Sequence, residues 1–198
     1  MKAQSNNHPL KKYPAIGACG LDCGLCPSHH RDTKSGCPGC CGEGFWDAHP
    51  GCPFITCCVK QRGLDTCGQC NEFEFCPRVM KHLEQAKHAD STISYIPIAA
   101  NFEFVRKNSI EKWSARENEK IAFLKTLLAD YNDGRSKTFY CLSVQLLPLD
   151  KLKPALTQAE KKITAGMTPK DKAKVVREAF NGVAAKSGVE LKLRSGKR

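Results

Sequence analysis

From Arg78 onward, apolar positions recur at helical spacing. Val79, Met80, Leu83 and Ala86 form one stripe. Pro97 opens a second helix, through Ile98, Phe102 and Val105 to Lys107, since a first-turn proline has no N–H to lose. Ile110, Trp113, Ile121, Leu124, Leu128 and Tyr131 predict a longer helix from Ser109 to Tyr131, stopped by Asn132-Asp133-Gly134. Ser136 reads as the cap of a helix carrying Phe139, Tyr140, Leu142 and Leu146, and another follows Pro148 with Leu149, Leu152 and Leu156. Thr168-Pro169-Lys170-Asp171 sets a cap, a first-position proline and an early acid before Ala173, Val176, Phe180 and Val183, in a helix ending at Gly188. Val189-Glu190-Leu191-Lys192-Leu193 alternates as a short strand does.

No such period holds from Gly17 to Pro77. Its ten large apolar residues (Leu21, Leu25, Phe45, Trp46, Phe54, Ile55, Val59, Leu64, Phe73 and Phe75) are too few to offset the ordering of sixty-one residues. Gly and Pro punctuate it at Cys19-Gly20, Cys26-Pro27, Gly36-Cys37-Pro38-Gly39, Cys52-Pro53, Cys67-Gly68 and Cys76-Pro77, so tight turns are expected. Short helical pieces are expected near Phe54–Gln61 and Asp22–Ser28.

What this stretch has instead is cysteine. Twelve of the thirteen Cys fall between Cys19 and Cys76. No apolar run nears the roughly 18 residues of a membrane span, and MKAQSNNHPLKKYP has no apolar signal core, so a cytoplasmic protein with reduced thiols and no membrane partner is expected. The thiols run Cys19-x3-Cys23-x2-Cys26, Cys37-x2-Cys40 with Cys41 beside it, Cys52, the pair Cys57-Cys58, then Cys67-x2-Cys70 and Cys76. Cys-x2-Cys lets two thiolates chelate one tetrahedral ion from a tight turn, and it recurs three times. A structural zinc site supplies about 10–16 kcal/mol of folding energy, which would replace the missing core. Cys40 keeps the x2 spacing and is favoured over Cys41, and Cys57 is favoured over Cys58. His29, His30 and His49 read as loop residues first and as ligands second, and Cys141 reads as a small core residue.

CGLDCGLC at Cys19–Cys26, CPGC at Cys37–Cys40, CGQCNEFEFC at Cys67–Cys76 and NDGRSKTFYC at Asn132–Cys141 resemble, in that order, a prokaryotic Cys-rich family catalogued as a domain of unknown function, to which zinc binding is ascribed. The resemblance implies metal-binding Cys19, Cys23, Cys26, Cys37, Cys40, Cys52, Cys57, Cys67, Cys70 and Cys76, and no established activity. Cys41 and Cys58 are additions to that pattern.

The formal net charge of +11 is as uneven as the Cys. Residues 1–90 hold ten Lys/Arg against nine Asp/Glu, whereas residues 91–198 hold twenty-one against eleven. The expected organisation is a flexible N-terminus (1–16), a small metal-stabilised irregular Cys-rich domain (17–77), an all-α helical domain (78–188) and a basic C-terminal tail (189–198). Two or three Zn²⁺ ions in closed thiolate sites, in a protein acting through an unidentified protein partner, is the first reading. An iron–sulfur cluster for electron transfer or redox sensing is the alternative, since Cys-Pro steps also occur in ferredoxins. Cys19-x3-Cys23-x2-Cys26 also fits the cluster motif of radical S-adenosylmethionine enzymes, but the strand–helix alternation of their barrel is missing. Nucleic-acid binding through the basic second half is the further alternative. No hydrolytic constellation stands out, so no catalytic residue is assigned, and the acids show no pairing within one cleft. Arg135 in Asp133-Gly134-Arg135-Ser136 reads as part of a helix–helix turn.

Overall fold

Amphipathic stripes of this width fold only when their apolar faces meet. The structure, a computed structural model, describes residues 8–31, 36–49 and 51–195. The α-helices are α1 (Phe45–Ala48), α2 (Pro77–Ala86), α3 (Ile98–Lys107), α4 (Ile110–Asp130), α5 (Lys137–Leu146), α6 (Leu149–Glu160) and α7 (Pro169–Lys186). The Cys-rich part adds 3-10 turns at Cys23–Leu25, Cys67–Gln69 and Phe73–Phe75 and a π-helical stretch at Ile55–Gln61, the regions where short helical pieces were expected included. Among the described residues no helix is long and apolar enough to cross a membrane.

The last four helices close around one core of Leu124, Leu127, Tyr140, Val144, Leu152, Val176 and Phe180, with the Tyr140 and Phe180 rings edge to face at 6.3 Å. Cys141 lies in it, as expected of a small core residue. Ser109 Oγ accepts the Lys112 N–H at 3.3 Å to start α4, and Thr168 Oγ1 accepts the Asp171 N–H at 3.2 Å to start α7.

Four expectations need correction. Ser136 does not cap α5. Asp133 Oδ1 accepts the N–H groups of Arg135 (3.0 Å) and Ser136 (2.9 Å) instead, a carboxylate being the stronger acceptor. On α2 the buried residues are Val79, His82 and Ala86, while Met80 is 58% exposed, so the true face runs i, i+3, i+7 through a histidine. No strand occurs among the described residues. Residues 189–193 have no neighbouring strand to bond, and after Gly188 (φ +64°) Val189 and Leu191 lie against the helical core instead. Finally, the described part of the expected flexible N-terminus is packed. Ile16 is fully buried with Val105, Ile110 and Trp113, and Lys11 donates its backbone N–H to Cys41 O at 3.1 Å. Residues 1–7, and 196–198 of the expected basic tail, lie outside the described residues.

The boundary expected at Pro77 is not a boundary of packing. A second core joins Ala18, Cys40, Cys41, Phe45, Ile55, Cys58, Val59 and Cys67 to Val79, Ala86, Ile98 and Phe102 from the helices. The few large apolar residues of the Cys-rich stretch are thus completed into a core by those of α2 and α3. Phe102 is the wedge. A Cβ on Gly20 (φ +84°) would meet its ring at 2.9 Å, and one on Gly68 would meet it at 3.2 Å. The glycines that follow Cys19 and Cys67 thus make room for one α3 side chain, which brings the two Cys turns together.

Candidate metal centre

The described cysteines are all free thiols, and most gather into two groups. In the first, the Cys37–Cys40 turn is held by the Cys37 N–H bond to Ser28 O (2.8 Å) and the Cys40 N–H bond to Pro14 O (2.8 Å). Gly39 is obligatory there: its φ is +91°, and a Cβ would sit 2.3 Å from Pro14 O. Cys41 follows at φ +55°, a left-handed conformation, and is fully buried with Cys40 in the second core. Cys40 Sγ accepts the Ala18 N–H at 3.4 Å, and Cys52 Sγ accepts the Ile55 N–H at 3.4 Å.

Electrostatics tie this group together. The Cys41 thiol donating to Cys40, helped by the Lys11 ammonium and opposed by burial, brings the Cys40 thiol down to about 6. Burial, then the charges of Cys40 and Cys52, push Cys19 up to about 12. Cys23 is raised by burial and by the charges of Cys40, Cys19 and Cys37. Cys19, Cys23, Cys37, Cys40, Cys41 and Cys52 therefore share one neighbourhood. At its edge Lys11, 8% exposed, also donates its ammonium to Ile16 O.

The second group lies on the π-helical stretch and the Cys67–Gln69 turn. Gln69 Oε1 accepts the N–H groups of Asp65 (3.0 Å) and Thr66 (3.1 Å), which shapes the turn. The Cys67 N–H bonds Ala18 O at 2.9 Å, next to the first group. The Cys67 thiol donates to Cys58, whose own thiol faces Leu64 O at 3.4 Å, so Cys67 is raised by that bond and by burial. Arg62 binds Glu72 at 2.6 Å, and that bond, with nearby Cys57 and Cys70, raises its pKa. Cys76 is half-buried at the start of α2, beside the second core.

Cys26 joins neither group. Its sulfur lies 3.6 Å from Thr92 Oγ1, and its charge adds to the burial that pushes Cys141 up to about 12. Cys41 and Cys58, set aside by the sequence pattern, lie inside the groups. His29 and His30 turn one ring nitrogen each to a backbone carbonyl, of Cys37 and Gly24 respectively (both 2.8 Å), and His49 stacks on Phe45. Among the described residues no three Cys, His, Asp or Glu side chains already converge on a metal position. Cys40 and Cys52 sulfur accept backbone N–H groups, the Cys58 thiol donates to Leu64 O, and Cys26 lies beside the Thr92 hydroxyl.

Two features escaped the sequence pattern. His82 is buried against Phe54, with Nε2 3.2 Å from Cys19 O, and burial lowers its pKa. The spacing Val79, His82, Ala86 was its only signal. Asp22 and Glu117, each 1% exposed, form the acid pair that the sequence did not reveal. Burial, then the Glu117 charge, raises the Asp22 carboxyl to about 7. Asp22 accepts from Asn101 Nδ2 (2.7 Å) and Gln145 Nε2 (3.1 Å), while Lys120 Nζ lies 3.1 Å from Glu117. This network pins the Cys19–Cys26 loop to α3, α4 and α5.

No family model, curated protein or solved structure shows significant similarity to this chain.

Proposed function

We propose that the chain is a thiolate-ligated zinc protein, with two ions drawn from the two thiol groups, acting as a metal-fixed scaffold for a protein partner. The observation that carries this reading is the Lys11 ammonium, 8% exposed, beside a group of free thiols in which Cys40 and Cys41 are buried. A buried ammonium is costly without an anion, and the anionic group at hand is the Cys40 thiolate. A tetrathiolate zinc site carries two net negative charges, so Lys11 offsets one of them. The N–H bonds to Cys40 and Cys52 sulfur would serve as the outer contacts that orient these thiolates on a metal.

One ion would take its ligands from Cys19, Cys23, Cys37, Cys40 and Cys52, the other from Cys57, Cys58, Cys67, Cys70 and Cys76. Bound there, zinc supplies folding energy and no chemistry, since a closed tetrahedral site has no open position. Tetrahedral ligation with Zn–S near 2.3 Å sets sulfurs about 3.8 Å apart, close to the separation of thiols in hydrogen-bonding contact. Among the described residues no three such side chains already converge, so thiols of each group would have to move together to form a site.

The test is the metal content of protein purified without oxygen. About two zinc ions per chain, little iron and no acid-labile sulfide are expected. Brown protein with stoichiometric sulfide would replace this reading with the iron–sulfur one.

A further inference from the structure

Away from the thiols, a pocket of about 380 Å³ opens between the loop after Cys26 and the junction of α4 with α5. Arg31, Lys125 and Lys137 line it together with His29 and His30, and Leu128 gives it an apolar wall. Among the described residues no carboxylate lines it. That is unusual on a surface where many cations pair with acids, as Lys107 does with Glu103 and Lys153 with Glu119.

The pocket wall is braced. His29 and His30 pack edge to face at 5.2 Å, and their carbonyl contacts at Cys37 and Gly24 fix both rings. Lys137 Nζ donates to His30 O at 2.7 Å, which holds the ammonium at the rim. An ammonium has three donors, so two remain for a ligand. Arg31 and Lys125 bring two more cations from the loop and from α4.

We propose that this pocket binds a phosphomonoester, from a nucleotide-sized molecule or from the phosphorylated end of a nucleic-acid strand. Three cationic arms suit a group with nearly two negative charges and three acceptor oxygens. The volume is that of a small-ligand site, and Leu128 gives the organic part an apolar contact. The inference is independent of the metal reading, because none of these side chains belongs to either thiol group.

The test is titration of the full-length protein, followed by amide chemical shifts, with four probes. They are inorganic phosphate, AMP, an oligothymidylate with a 5′-phosphate, and the same strand without it. Saturating shifts at Arg31, Leu128 and Lys137 with phosphate and AMP would identify a small-molecule site. Saturation only by the phosphorylated strand would identify a strand end. Lys125→Gln should weaken either about tenfold, as loss of a charged hydrogen bond does, while Lys186→Gln at the far end of α7 should not. Thermal unfolding of Lys125→Gln confirms that it folds. No saturation by any probe, equal binding of the unphosphorylated strand, or equal losses in both variants would overturn the proposal.

Discussion

Replacing Lys11 by Met should lower the unfolding temperature of the zinc-loaded protein by about 6–12 °C. The variant keeps the aliphatic stem and removes the ammonium that faces Cys40 and Ile16 O. Lys11 is 8% exposed, so solvent screens the interaction little. Breaking a buried ion pair leaves an uncompensated charge and destabilises by about 3–5 kcal/mol. Taking about 3 kcal/mol, because metal ligation spreads the thiolate charge, and about 2–4 °C per kcal/mol for a chain of this length, gives that range. The assay is thermal unfolding followed by circular dichroism at fixed zinc and protein concentration. A cycle with Cys40→Ser isolates the pair, and a coupling of about 1–3 kcal/mol is expected. Additive effects of the two substitutions would refute the pairing, whatever each does alone.

Other outcomes follow from the same contacts. Gly39→Ala should destabilise by at least about 3 kcal/mol in denaturant unfolding, because φ +91° and a Cβ 2.3 Å from a backbone oxygen leave nothing able to yield; a wild-type midpoint would contradict the turn. Cys26→Ser should leave the zinc count unchanged while Cys40→Ser lowers it, which separates the structure from the sequence pattern that groups Cys26 with Cys19 and Cys23. Arg194→Gln should destabilise at neutral pH, since Arg194 pairs with the fully buried Asp90 carboxylate at 2.7 Å and also holds Ala86 O. Burial opposes ionisation of Asp90, yet Arg194 and backbone donors hold its pKa below the ordinary value. A depressed carboxyl contributes stability above its unfolded pKa and loses it in acid, so the gap between wild type and Arg194→Gln should close below about pH 4. A gap that persists at pH 2 would mean packing, rather than charge, holds the tail.

The helices were legible because each stripe has only one way to be buried, and the caps at Ser109 and Thr168 are local chemistry. Cys141 was legible for the same reason. The sharing of one core by Cys turns and helices was not. Nothing local marks Gly20 and Gly68 as partners of Phe102, some 80 and 34 residues away in the chain. The acid pair was hidden likewise: Asp22 and Glu117 meet only through tertiary packing, each reading locally as a surface carboxylate. Spacing identified which Cys lie on turns, but it could not say which way each thiol points. Cys26 shares the spacing of its neighbours and faces the helical core instead.

Zinc-edge X-ray absorption of the purified protein tests the central claim most directly. Four sulfur neighbours per zinc at about 2.3 Å, with no nitrogen or oxygen shell, are predicted. Zinc bound mainly through nitrogen or oxygen near 2.0 Å, or an absence of zinc from protein that remains fully folded, would contradict it.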